Sequence, residues 1–341
     1  RPEDHAEELR AILDRAVRDR VRGVDGLAAH LSAGLDSAAV VSSAALARAA
    51  EGKRLTAYTS VPMAGAELEV PVRRFSDEGP RASMLAALYP NVDHVLLDSA
   101  DREIGEDFDR HFFASETPIL NACNQVWMGA INREAKARGE RVALSAYFGN
   151  MTISHGGGQL MHAYIRRGRP DLWAREARLL LASGYGTWPN LLLTTFGPWL
   201  PSPWLKKIRR WTGRNAMGLE DFSSLRAEIA QDPNFRAHLA SIGYDPDFGP
   251  MRSRAETLRY VITRIDLLGN VAKGDVATYD LETCDPTSDR RLLEFCLTAP
   301  DEVFLREGRP QWIYGKAFGE RIPAQTLNSR NKGYQAADWL P

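Results

Sequence analysis

Cysteine is scarce in this chain. Cys123, Cys284 and Cys296 are too few and too scattered for a disulfide framework or a zinc site. Each reads as a small core hydrophobe, as expected in a reducing cytoplasm. No apolar run is long enough to span a bilayer and no signal peptide is present, so no membrane partner is expected. An excess of one charge is also missing: 43 Lys and Arg stand against 44 Asp and Glu. That balance is not the profile of a generic nucleic-acid binder. The seven histidines show no paired metal-ligand spacing, and there is no internal repeat or low-complexity tract. What remains is a chain of 341 residues, long enough to bury a real core in one large α/β domain or two smaller ones. It starts at Arg1 rather than Met, and the expectation is a piece of a longer protein.

Leu9, Ile12, Leu13, Ala16, Val17 and Val21 recur at helical spacing, giving an amphipathic first helix. Strand candidates follow at 27–32, 55–61, 92–98 and 141–145, with helical stretches at 36–50, 77–88 and 121–139 between them. That alternation predicts a parallel sheet covered on both faces, with the ligand beyond the carboxyl ends of the strands. Ser32, Val61 and Ser145 fall there. From about 155 to 254 the pattern turns mostly helical and holds five of the eight tryptophans: Trp173, Trp188, Trp199, Trp204 and Trp211. It reads as a helical insertion between a nucleotide-binding α/β core (1–150) and a helical C-terminal part (255–341) that returns to the site.

In "HLSAGLDSAAVV" an apolar strand runs into a small-residue turn and then at once into a helix. Such a turn leaves backbone N–H groups unpaired at the positive end of a helix dipole, where phosphate binds. It is not a Walker loop, because Gly-Lys-Ser/Thr is missing.

"LSAGLDS" resembles the Ser-Gly-Gly-x-Asp-Ser pyrophosphate loop of ATP pyrophosphatases that make AMP and pyrophosphate. "VALSAYFGN" occupies the place of the second phosphate-side loop of the asparagine synthetase family. "DLETCDPTSDRRLLEFCLTAPDEVF" resembles that family's Leu-Glu-x-Arg-x-Pro-Phe-Leu-Asp segment, and "SRNKGYQ" its Arg-x-Lys-x-Gly end. The order of the four matches implies an adenine nucleotide α-hydrolase-like synthetase domain. Within the family, "SDEGPRA", "ETPILNACNQVW", "GNMTISHGG", "DPTSDRRLLEFCL" and "KGYQAADW" resemble lasso peptide cyclases, which close a macrolactam ring on a ribosomal peptide. Three departures stand out. Ala33 replaces a glycine, Asn150 stands where asparagine synthetases carry a metal-binding aspartate, and the usual N-terminal glutaminase-like domain is read as absent from this chain.

The resemblance implies ATP and Mg²⁺ as cofactors. Leu31, Ser32, Ala33, Gly34, Leu35, Asp36, Ser37, Val61, Ser145 and Ala146 would bind ATP and pyrophosphate, with Asp36 and Asn150 holding the metal. For Asn150 a structural turn residue is the competing reading; for Asp36 and Ser37 it is an ordinary helix cap. Lys332 lies where the family keeps a lysine facing the reacting phosphate, a fixed cation for charge developing in the transition state. Tyr147 matches the tyrosine of β-lactam synthetases, which works with a glutamate as base toward the attacking amine. An α-amino group has a pKa of about 8, so one positioned acceptor suffices.

Glu282 is the candidate partner of Tyr147, against a structural carboxylate paired with Arg290 or Arg291. Tyr147 itself also reads as a packed aromatic. The tryptophans either pack the insertion or line a peptide groove, and "IRRGRP" and "WLKKIRRW" read as solvated helix faces. The expected function is ATP-dependent macrolactam formation on a precursor peptide, with a leader peptidase and a leader-binding protein as partners. A small-molecule amide or β-lactam synthetase and a non-catalytic nucleotide-binding homologue are the alternatives.

Overall fold

The computed structural model describes residues 1–119, 121–211, 218–219, 223, 225–263 and 265–339. The chain divides into two compact units, the first comprising Arg1–Gly156, Leu258–Ala299 and Gln311–Pro341, the second Gly157–Thr257 and Pro300–Pro310.

The first unit is built on a five-stranded parallel sheet. Its strands are β1 (Leu27–His30), β2 (Leu55–Ser60), β3 (Val92–Leu97), β4 (Val142–Leu144) and β5 (Glu282–Cys284), in the spatial order β3-β2-β1-β4-β5. The α/β class and the parallel sheet expected from the alternation are therefore present. The four predicted strands appear with their ends trimmed by one or two residues, because the turn backbone takes over as soon as the ladder stops. β4 and most of β1 are buried, as strands covered on both faces must be. β5, "ETC", is too short and too polar to stand out in the sequence. It is a strand because Val142 pairs with Glu282 and Leu144 with Cys284.

Helix α1 (Pro2–Val21) buries Ala6, Leu9, Leu13, Ala16, Val17 and Val21, the stripe its periodicity predicts. Helix α2 (Leu35–Ala50) is buried from Ser37 through Ala45 without a break. Only a run of Ala, Val and Ser lets a helix be covered on all sides at that closeness. Helices α3 (Gly79–Ala86), α4 (Phe108–Ser115) and α5 (Ala122–Ala137) follow. Trp127 and Ile131 of α5 join Ala28, Tyr58, Ala143 and Tyr279 in one core cluster.

The second unit is mostly helical: α6 (Gln159–Arg166), α7 (Pro170–Ala182), α8 (Trp188–Phe196), α9 (Ser202–Trp211) and shorter helices after it. Leu160, Met161, Tyr164, Ala177, Leu180 and Leu191 form its core with Leu305. Leu305 brings residues 300–310 here, although the sequence pattern groups them with the C-terminal part. They form a hairpin, Leu305–Arg306 against Arg309–Pro310, whose tip residues Glu307 and Gly308 both have positive φ. That is the backbone a two-residue hairpin turn demands. Trp173 packs on this core and donates from its indole N–H to Thr195 Oγ1 at 2.8 Å. Trp188, Trp199, Trp204 and Trp211 are at least half exposed, although the Trp199 ring packs on buried His162 at 4.5 Å between centroids.

Candidate active site

β1 leads to β2 and β3 on one side, whereas β4 returns on the other side of β1. The loops after β1 and β4 therefore part at the switch point where such sheets bind ligands. A cavity of about 610 Å³ lies there, within the first unit. His30 through Ser37, Val61, Ala146, Tyr147, Asn150 and Lys332 all line it.

The turn of residues 31–37 holds itself in shape. Ser32 N–H donates to Ser37 Oγ at 3.0 Å, the two hydroxyls lie 2.8 Å apart, and Gly34 N–H donates to Ser32 Oγ at 3.1 Å. Gly34 is the N-cap of α2 and makes no side-chain capping bond. The first-turn N–H groups, which no intrahelical partner satisfies, are the anion-binding groups of such a turn.

Asp36 stands in the first turn of α2. Its Oδ1 is buried with no hydrogen-bond partner. Burial, partly countered by a hydrogen bond from Ser154, raises its pKa to about 6; Asp285 raises it further and Lys332 lowers it. A buried carboxylate oxygen left without a donor is costly, and a cation is the partner that removes that cost. The site thus fits a hard metal ion held through Asp36. Asn150, exposed on the cavity wall, offers a neutral carbonyl in addition. Gly149 lets the second loop come this close, because a side chain there would fall on the Asp36 carboxylate.

Lys332 reaches the cavity through a two-residue parallel pairing, Arg74–Phe75 with Lys332–Gly333. Lys332 N–H donates to the Arg73 carbonyl at 3.2 Å, and Tyr334 N–H to that of Phe75 at 2.9 Å. Gly333 is fixed by a close approach: any Cβ there would strike the Glu78 carboxylate.

Tyr147 lines the cavity and is half exposed, and its hydroxyl lies 3.5 Å from His30 Nδ1. Burial holds that hydroxyl well above the usual tyrosine range, with Asp275 and Asp285 adding to the effect. His30 packs edge-on against both Tyr147 and Trp127. Burial lowers its pKa to about 4, so the imidazole is neutral at physiological pH.

Two expected site residues lie elsewhere. Glu282 pairs with Val142 at the amino-terminal end of the sheet, opposite to the cavity, and its side chain is exposed. It has neither expected arginine partner, since Arg290 pairs with Glu294 and Arg291 with Asp289 and Asp19. Ser145 is buried in the ladder, its N–H donating to the Cys284 carbonyl at 2.8 Å, and it is not part of the cavity lining.

Sequence reasoning missed His30, Glu78 and Asp285. Glu78 is buried, lines the cavity and accepts from Ala33 N–H at 3.4 Å; burial raises its pKa. Asp285 accepts from the N–H groups of Phe148 and Thr287, tying the second loop to the segment after β5. His30 was legible as the last residue of a strand aimed at the turn, and the other two only as members of quoted phrases.

No curated protein matches the chain. The family model described as Asparagine synthase matches residues 8–341. Its members are ATP-dependent amide-forming synthetases, which suits a phosphate-type turn, a buried carboxylate and a lysine around one cavity. Among the described residues, no helix is long and apolar enough to cross a membrane. By the match over nearly its whole length, the chain belongs to the asparagine synthase family.

Proposed function

We propose that this chain is a lasso peptide cyclase. It adenylates an Asp or Glu side chain of a precursor peptide and lets the peptide's N-terminal amine attack, closing a macrolactam. The observation that carries this reading is a coincidence in space. Four phrases that resemble cyclases supply walls of one cavity: Glu78 from "SDEGPRA", Asn121, Cys123, Asn124 and Trp127 from "ETPILNACNQVW", Asn150 and Ser154 from "GNMTISHGG", and Lys332 through Asp338 from "KGYQAADW". The cavity size is ordinary for a ligand site.

The chemistry runs in two displacements. A carboxylate oxygen attacks the α-phosphorus of ATP and pyrophosphate leaves; the amine then attacks the acyl carbon and AMP leaves. The 31–37 turn holds the departing pyrophosphate, and Lys332 stabilises charge that develops at the reacting phosphate and carbonyl. Magnesium, held through Asp36 and Asn150, would neutralise phosphate charge. Tyr147 accepts a hydrogen bond from the attacking amine while its own hydroxyl donates to the neutral His30 Nδ1, which replaces Glu282 as the partner in this reading, and the amine proton goes to the phosphate of the departing AMP. The imidazole then carries its own proton on Nε2. A leader peptidase and a leader-binding protein complete the system.

ATP–pyrophosphate exchange tests this. Leaderless peptides with an N-terminal Gly and an internal Asp or Glu are expected to stimulate exchange, and Asp36→Ala to abolish it. Stimulation by aspartate or a small β-amino acid instead would establish a small-molecule synthetase. Failure to bind ATP with Mg²⁺ would establish a non-catalytic homologue.

A further inference from the structure

The corner that holds Tyr147 and His30 has a third member. Along β1, Ala28 and His30 are two residues apart and so share one face of the sheet. Ala28 joins Trp127 and Ile131 of α5 in one core cluster, and the His30 ring lies edge-on to Trp127 at 6.1 Å between centroids. The next residue of α5, Asn132, is 1% exposed and does not line the cavity. A buried amide in such a place needs a partner.

That partner is the imidazole. His30 Nε2 and Asn132 Oδ1 are both buried, and the rest of the chain leaves each without a hydrogen bond. Burial pulls the His30 pKa down, and the Asn132 side chain works against it, as a hydrogen-bonding neighbour of the ring does. Trp127 does not compete, because its indole N–H goes to Asn124 Oδ1 at 3.1 Å. One proton on Nε2, aimed at Oδ1, satisfies both atoms at once. A proton on Nδ1 instead would leave the amide oxygen facing a bare nitrogen.

We propose that Asn132 is a positioning residue that locks His30 as the Nε2–H tautomer, so that Nδ1 presents its lone pair to the Tyr147 hydroxyl. In a neutral imidazole, the bond made by one nitrogen decides what the other can do. Burial keeps the proton on the Tyr147 hydroxyl. With Nδ1 bare, that proton points at His30, 3.5 Å away, and the oxygen lone pairs are left for an incoming amine N–H. The opposite tautomer would reverse the bond and turn the hydroxyl hydrogen toward the amine. The tautomer itself belongs to the free protein; its use in amine attack rests on the function proposed above.

Long-range ¹H–¹⁵N correlation spectra of the whole chain, labelled at histidine and free of nucleotide, read the tautomer at neutral pH. His30→Gln assigns the resonance. A protonated Nε2 with a bare Nδ1 is expected, and a protonated Nδ1 would overturn the proposal. Asn132→Leu should lose the pure Nε2–H pattern, whereas Asn132→Asp, which keeps an acceptor oxygen, should retain it. An unchanged pattern in a Leu variant that circular dichroism shows to be folded would equally overturn it. If the Leu variant does not fold, the wild-type spectrum decides.

The catalytic use is read separately, with a peptide that stimulates ATP–pyrophosphate exchange. Asn132→Leu should slow product formation at least about tenfold, as a wrong tautomer does, while exchange stays within about twofold and KM for ATP is unchanged. Exchange that falls in step with product formation would overturn the role in amine attack. A wild type without peptide-driven exchange would overturn the proposed function instead, and the tautomer would still be decided by the spectra.

Discussion

The Tyr147 hydroxyl and His30 Nδ1 lie 3.5 Å apart, joining the loop after β4 to the last residue of β1. Two neighbouring parallel strands thus deliver a donor and a neutral acceptor to one corner of the cavity. Tyr147→Phe is expected to slow amide formation by about 10²-fold or more, the worth of a positioned proton acceptor. His30→Gln should lower kcat with little change in KM for ATP. ATP–pyrophosphate exchange, which precedes amine attack, should survive both changes; its loss would show that the pair acts earlier.

The same histidine sets a pH dependence of stability. Its folded pKa is about 4, below an unfolded value of about 6.5. Between those values the unfolded chain binds a proton that the folded protein refuses. Stability therefore falls as pH drops from about 6.5 toward about 4. Denaturant titrations across that window should show a shallower decline in His30→Gln.

Asp36 exchanges stability for function. Its buried, unpartnered Oδ1 costs more free energy as part of a charged carboxylate than it would in a neutral amide. Asp36→Asn is expected to raise stability by about 1 kcal/mol in the absence of nucleotide and metal while lowering exchange at least about 10²-fold. Thermal melts paired with the exchange assay check both halves. A destabilised Asn variant would mean that the carboxylate is structural.

Gly333 and Glu78 are fitted to one another. Gly333→Ala drives a methyl group into the carboxylate and should cost about 1–3 kcal/mol. Adding Glu78→Ala makes room and should recover most of that loss. A double-mutant cycle with no coupling would refute the close approach.

Asp289 supports the fold in acid. It caps the helix Arg290–Thr298 through Arg291 N–H at 3.0 Å and pairs with Arg20 and Arg291. Arg291 first, then Arg20, hold its carboxyl far below the usual range. That stability is complete above the unfolded value of about 3.9 and is lost as pH falls through the folded value. Asp289→Ala should cost about 1–2 kcal/mol at neutral pH, and Asp289→Asn less, because the cap survives. Urea melts at pH 7 and pH 3 would separate cap from charge.

The sequence alone determined the parts whose signal is local. Alternating apolar strands and helices specified the parallel sheet, because strands covered on both faces need continuous hydrophobic runs. The small-residue turn before α2 declared itself, because N–H groups at a helix start need no distant partner. Family phrases pointed to Tyr147, Asp36 and Lys332, and all three line one cavity. Tertiary structure alone decided which residues meet. The parallel register puts Glu282 at the far end of the sheet, and Asp285, three residues on, is the carboxylate that reaches the second loop. No spacing rule links His30 to Tyr147, 117 residues away, because only the adjacency of β1 and β4 brings them together. The tryptophans were ambiguous for the same reason. A helical period says that rings share a face, but only packing decides whether that face meets a core or stays exposed.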